Sequence, residues 1–103
     1  MTKDEKRHLS ALTELGCAVC RRMGYPGTPA EIHHPRQGVG KAQKASHWDA
    51  IPLCPSHHRQ GPHAVHTLGT KGFPKHWGFT EADLLEDCRR LLAEVPRLFP
   101  TKT

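Results

Sequence analysis

No stretch of this sequence is apolar over the 20 or so residues that a membrane span needs. The first ten residues, Met1 to Ser10, are charged and lack the apolar centre of a secretory signal. Both absences point to a cytoplasmic protein with no membrane partner. Aromatic residues are scarce: three Phe, two Trp and one Tyr among 103 residues. A domain near 100 residues buries only about two-thirds of the surface its unfolded chain exposes. So thin a core calls for a staple, metal or disulfide. Basic residues form no run of the kind that marks a localisation signal or a disordered tail. Repeats and interdomain linkers are also missing, and the chain reads as one domain over 1–103.

What the sequence does hold is basic charge and metal-ligand chemistry. Lys and Arg total 15 against 10 Asp and Glu, a net charge of +5 that favours polyanions, nucleic acid first. Nine His and four Cys are dense for this length. In a reducing cytosol, paired Cys read as metal ligands before disulfides.

Thr2 to Leu15 is predicted to be a helix. Thr2 and Glu5 form a capping-box pattern, Leu9, Leu12 and Leu15 share a face, and Gly16 is a stop signal. Residues 16–29, rich in Gly, Pro and Cys, read as a loop. Ala30 to His34 and Ala50 to Leu53 are candidate short strands, joined by a polar, basic connection over 37–48 that reads as flexible. A helix is expected from Pro55, of doubtful length because Gly61-Pro62 interrupts it. The last helix starts at Thr80 with Asp83, repeats Leu84, Leu85, Cys88, Leu91, Leu92 and Val95 at helical spacing, and is expected to end at Pro96.

Cys17-x-x-Cys20 and Cys54-x-x-His57 are two chelating pairs. A two-residue spacer lets both side chains of a tight turn face one ion, and four such ligands suit tetrahedral zinc. Zinc here would clamp the loop after the first helix onto the start of the central helix. The alternative is a set of ordinary buried thiols; a thioredoxin-like redox role needs a βαβ setting that is missing. Cys88, on the apolar face of the last helix, is assigned to core packing.

Further His residues remain: His33, His34, His58, His63 and His66, with Asp49 nearby in sequence. Clustered imidazoles can hold a divalent ion with open positions, and an imidazole of near-neutral pKa can act as a base. Side chains alternate along a strand, so His33 and His34 face opposite ways and can take different roles. His8, His47 and His76 have no partner spacing and read as exposed or packed residues.

The segments Ile32-His33-His34-Pro35 and Ala50-Ile51-Pro52-Leu53-Cys54-Pro55-Ser56-His57-His58 resemble the ββα-metal core of His-Asn-His (HNH) endonucleases. More narrowly, Glu31-Ile32-His33-His34, Gly38-Val39-Gly40-Lys41, Pro52-Leu53-Cys54, His57-His58 and His66-Thr67-Leu68-Gly69 are similar to the phage recombination-enhancement (RecA-dependent) nucleases. Phe73 and Trp77-Gly78 extend the similarity, which covers roughly residues 17 to 92. The fold this implies is a small α+β domain: an N-terminal helix over 1–16, a zinc-stapled ββα-metal (His-Me finger) core over 17–78, and a C-terminal helix over 80–95.

The resemblance implies a site as well. His34 would be the general base, and His33, His58 and His66 would hold a catalytic Mg²⁺, Mn²⁺ or Zn²⁺, with His63 an alternative third ligand. Asp49 matches the middle Asn of the motif but is a departure from it, since Asp adds a negative charge where an amide can both donate and accept. It would either orient His34 or bind metal itself. Arg36, Lys41 and Lys44 are candidate phosphate contacts, with a solvated loop as the alternative. The expected partner is DNA, with a RecA-like filament as a further one. The competing function is a zinc-stabilised nucleic-acid-binding module without catalysis.

Overall fold

A computed structural model describes residues 1–35 and 46–98, with side chains described as far as residue 94. The expected contacts Arg36, Lys41 and Lys44 lie outside the described residues, as does most of the connection expected over 37–48. Helix α1 spans Lys3–Leu15 and opens on the capping box read from the sequence. The Glu5 amide donates to Thr2 Oγ1 at 3.0 Å, and the Thr2 amide donates to Glu5 Oε1 at 2.8 Å. Leu12 is buried, with Leu9 and Leu15 packed beside it.

Gly16 ends α1 with φ at +83°. A side chain there would also meet the Gly27 Cα at 2.8 Å, so glycine is required twice over. That close approach lets the Cys17 amide donate to the Thr28 carbonyl at 2.9 Å, seating the first Cys against the chain that leads to the sheet. Residues 16–29 are not wholly a loop: α2, Ala18–Arg22, is a short helix capped by Cys17, whose Sγ accepts from the Cys20 amide at 3.4 Å. Five residues are too few to show a periodic pattern, and Cys is not among the preferred capping residues.

Strands β1 (Glu31–His33) and β2 (Ile51–Leu53) form an antiparallel pair with Glu31 opposite Leu53, Ile32 opposite Pro52 and His33 opposite Ile51. Alternation puts Glu31 and His33 on one face and Ile32, packed against the core, on the other. A 3₁₀ turn, His47–Asp49, precedes β2, and a π-helical turn, Ser56–Gln60, follows it. The turn closes at Gly61, where any side chain would overlap the Ser56 carbonyl oxygen.

Helix α3, Val65–Trp77, has no counterpart among the expected elements, and it forms although it contains Gly69, Gly72 and Pro74, which disfavour helix. The break is real at Gly69, whose φ of +79° kinks the element, but helix resumes on either side. Thr67 Oγ1 donates to the Gly61 carbonyl at 2.9 Å and Trp77 Nε1 to the His63 carbonyl at 3.0 Å, fastening the 61–64 connection to α3.

Helix α4, Glu81–Leu98, opens on reciprocal bonds between Thr80 and Asp83 and buries Leu84 and Cys88. It runs two residues past Pro96, correcting the expected end. Proline forfeits one amide donor, and so near the end of a helix little helix remains to be lost. Arg22 pairs with Asp87 at 2.7 and 3.2 Å and lies 4.7 Å over the Phe79 ring, tying α2 to α4. One core gathers Leu12, Val19, Ile51, Leu53, Phe73 and Leu84 from α1, α2, β2, α3 and α4. No helix among the described residues is long and apolar enough to cross a membrane.

Candidate metal centres

The core places the two ends of the first chelating set together. Cys17 and Cys20 bracket the start of α2, while Cys54 and His57 bracket the start of the turn after β2. The four donor atoms lie within 4.8 Å of one another. Zinc bonds of about 2.3 Å to sulfur and about 2.05 Å to nitrogen imply tetrahedral edges near ~3.8 Å (S–S) and ~3.6 Å (S–N). The observed separations are 3.8 Å for Cys20 Sγ to Cys54 Sγ, and 3.6, 3.4 and 3.2 Å from His57 Nδ1 to Cys17, Cys20 and Cys54. The Cys₃His set therefore fits a zinc-sized ion in its present arrangement.

Electrostatics give the same answer. Burial pushes the Cys17 thiol up to about 12, partly offset by backbone hydrogen bonds from Cys20 and Cys54, and the neighbouring Cys54 and Cys20 raise it further. The Cys17 thiolate is therefore disfavoured without a cation close by, which an ion among the four donors would supply. Burial also lowers His57, with His63 contributing, which keeps its ring a neutral ligand. Cys88 stands apart as a buried core thiol, raised to about 11 mainly by burial.

A second cluster lies on the next residue of the same turn. His33 from β1, His58 from the π-helical turn and His66 from α3 each offer a nitrogen within 4.8 Å of the others. His58 Nε2 and His66 Nε2 are 3.1 Å apart. Ligand atoms sharing an ion in tetrahedral or octahedral positions are separated by about 3.0–3.4 Å. Two carboxylates back this cluster. Glu31 accepts from His58 Nδ1, which fixes the proton there and turns the Nε2 lone pair toward His66. Glu81, the first residue of α4, lies 3.3 Å from His33 Nε2. Neither carboxylate was singled out in the sequence; Glu31 follows from the i, i+2 alternation with His33, but Glu81 is 48 residues away and carried no spacing signal.

His66 joins the cluster and His63 does not: His63 stacks on His76 at 4.0 Å. His66 is lowered from the ordinary imidazole value, first by the protein atoms around its ring and then by His33 and His58, with Glu81 pulling the other way. His34 is half-buried, outside the cluster, with its Nε2 3.0 Å from His47 Nδ1. Burial, then the nearby His47 and His33, lowers His34 and favours its neutral form. His47 has no role legible in the sequence, because nothing in its spacing links it to His34. Asp49 is exposed, with its carboxylate 2.8 Å from Arg89 Nη2. Among the described contacts it touches neither His34 nor the His cluster.

No curated protein sequence matches significantly. Residues 1–93 match the model of the recombination enhancement, RecA-dependent nuclease family. That match takes in both chelating pairs, the His33–His58–His66 cluster, His34 and all but the end of α4, and the chain belongs to this family of RecA-dependent nucleases.

Proposed function

We propose that this chain is a metal-dependent DNA endonuclease of the HNH type, a single domain whose ββα-metal core spans 17–78. The observation that carries the reading is the gathering of His33, His58 and His66 from three separate elements while the adjacent His34 stays outside. One group of rings suits an ion; the other suits a proton acceptor.

In this reading His33, His58 and His66 hold a divalent ion, Mg²⁺, Mn²⁺ or Zn²⁺. When bound, the ion supplies charge stabilisation at the phosphate and the leaving oxygen. Cys17, Cys20, Cys54 and His57 hold a structural zinc. His34 serves as general base. His34 Nε2 lies 3.0 Å from His47 Nδ1, and in the tautomer that donates there the lone pair on His34 Nδ1 is the one that takes the proton from an attacking water. Its lowered pKa keeps that lone pair free at neutral pH. His47 thus takes the orienting part that the family motif gives to Asn, and Asp49, paired with Arg89, supports the turn that carries His47. DNA is the substrate, with the net charge of +5 favouring it and Arg36, Lys41 and Lys44 as phosphate contacts. The family's name supports a link to a RecA-like filament.

The test is nicking of DNA by purified protein with added Mg²⁺ or Mn²⁺, with and without RecA-coated single strands. We expect His34→Ala to bind DNA but cut at least 100-fold more slowly, within the usual contribution of a general base. Equal cutting by variant and wild type removes His34 from the mechanism. Binding without cutting by the wild type under every condition leaves a zinc-stabilised DNA-binding module.

A further inference from the structure

Glu81 is a carboxylate without a sufficient local reason. It is 7% exposed, and its Oε2 is buried with no hydrogen-bond partner. Capping does not account for it, since Asp83 rather than Glu81 closes the reciprocal bond with Thr80. Among the described residues its ion-pair contact is His33, through Oε1 alone. A buried carboxylate oxygen left unpaired is costly, and such groups persist where they serve an ion or a reaction.

The surroundings identify what it serves. Glu81 lines a cavity of about 190 Å³ together with His33, Val65, His66, Gly69 and Thr70. The cavity is thus walled by two of the three clustered imidazoles. A water molecule takes about 30 Å³, so several fit. Glu81 meets the trio through His33, at 3.3 Å, and does not itself lie within 4.8 Å of all three ring nitrogens. The kink at Gly69 turns backbone, with no side chain, toward this space.

We infer that Glu81 is an outer-sphere carboxylate of the His33–His58–His66 site, gripping the His33 ring through Oε1 and a water of the bound ion through Oε2. This inference rests on the metal-binding reading of that cluster. It also shifts the cation expected there. Three neutral imidazoles alone suit zinc, whereas an added anionic oxygen facing a cavity with room for water suits a hydrated, hard ion such as Mn²⁺ or Mg²⁺. Glu81 is a positioning residue: it acts through His33 and a water.

Mn²⁺ titration followed by the electron paramagnetic resonance of the free ion tests this on the full chain with zinc in the Cys site. Glu81→Gln keeps the shape and the acceptor for His33 but removes the charge. It is expected to weaken Mn²⁺ binding about tenfold or more while leaving zinc content and helicity unchanged. His66→Ala is expected to lose Mn²⁺ binding altogether. Equal Mn²⁺ affinity in Glu81→Gln and wild type overturns the role of Glu81 and leaves the His site standing. No Mn²⁺ binding by the wild type overturns both. Should Glu81→Gln not fold, anomalous scattering from Mn²⁺-soaked wild-type crystals decides. One water between ion and Oε2, about 4–4.5 Å apart, supports the inference; an Oε2 pointing away from the ion overturns it.

Discussion

Cys17→Ser bears on the most physically constrained part of the molecule. Cys17 is fully buried, caps α2 through its sulfur and lies 3.6 Å from His57 Nδ1. Serine retains a capping oxygen but offers zinc a hydroxyl in place of a thiolate. Structural zinc sites bind with about 10–16 kcal/mol of apparent free energy, against about 5–15 kcal/mol for the net stability of a whole domain. Losing even ~3 kcal/mol lowers the melting temperature of a domain this size by about 12–24 °C. The assay is a thermal melt by circular dichroism under reducing conditions, with zinc quantified by mass spectrometry on the same samples. Cys88→Ser is the control: it alters a buried thiol in α4 that belongs to neither metal cluster. Its expected cost is a few degrees, with zinc unchanged. The reasoning is refuted if Cys17→Ser retains one zinc per chain and melts within about 3 °C of wild type, because the four donors would then not share an ion.

Two further predictions concern the fold that carries the sites. Gly16→Ala places a Cβ at positive φ and 2.8 Å from Gly27, whereas Gly24, also at positive φ, has nothing within 4 Å. Gly16→Ala should therefore cost more than Gly24→Ala, by upwards of about 1 kcal/mol in denaturant unfolding; equal losses would show that the 16–27 approach gives way freely. His8 packs on Trp48 with its Nε2 buried and unpartnered, and burial followed by the Arg89 charge lowers its pKa. The unfolded chain takes up a proton near the ordinary value of 6.5 while the folded ring still refuses it. His8 therefore has no effect above that pH and subtracts stability as the pH falls below it. His8→Phe should flatten part of the acid-side decline, and melting curves of variant and wild type that stay parallel between pH 7 and 5 would contradict this.

Much of the metal chemistry was legible because it is local. Cys17-x-x-Cys20 and Cys54-x-x-His57 announce themselves by spacing, and strand alternation separates His33 from His34 before any coordinates are known. The capping boxes of α1 and α4 were equally plain, since each is written within four residues. What escaped was long-range or made from poor local signals. Glu81 reaches His33 only because α4 packs beside the sheet, and His47 meets His34 across the connection between the strands. Helix α3 forms in spite of Gly69, Gly72 and Pro74 because Val65 and Phe73 have a core to enter. Propensity is a weak guide where tertiary burial takes over.

His57 and His58 are joined by a peptide bond and belong to different clusters. A ligand that moves in one cluster moves the backbone of the other, because a single planar amide leaves no slack between them. Ions held by both clusters would thus be mechanically in series: the first would set the pitch of the turn, and the second would inherit it. A change of arrangement at His57 would therefore be felt at His58, and through it by the second trio of rings.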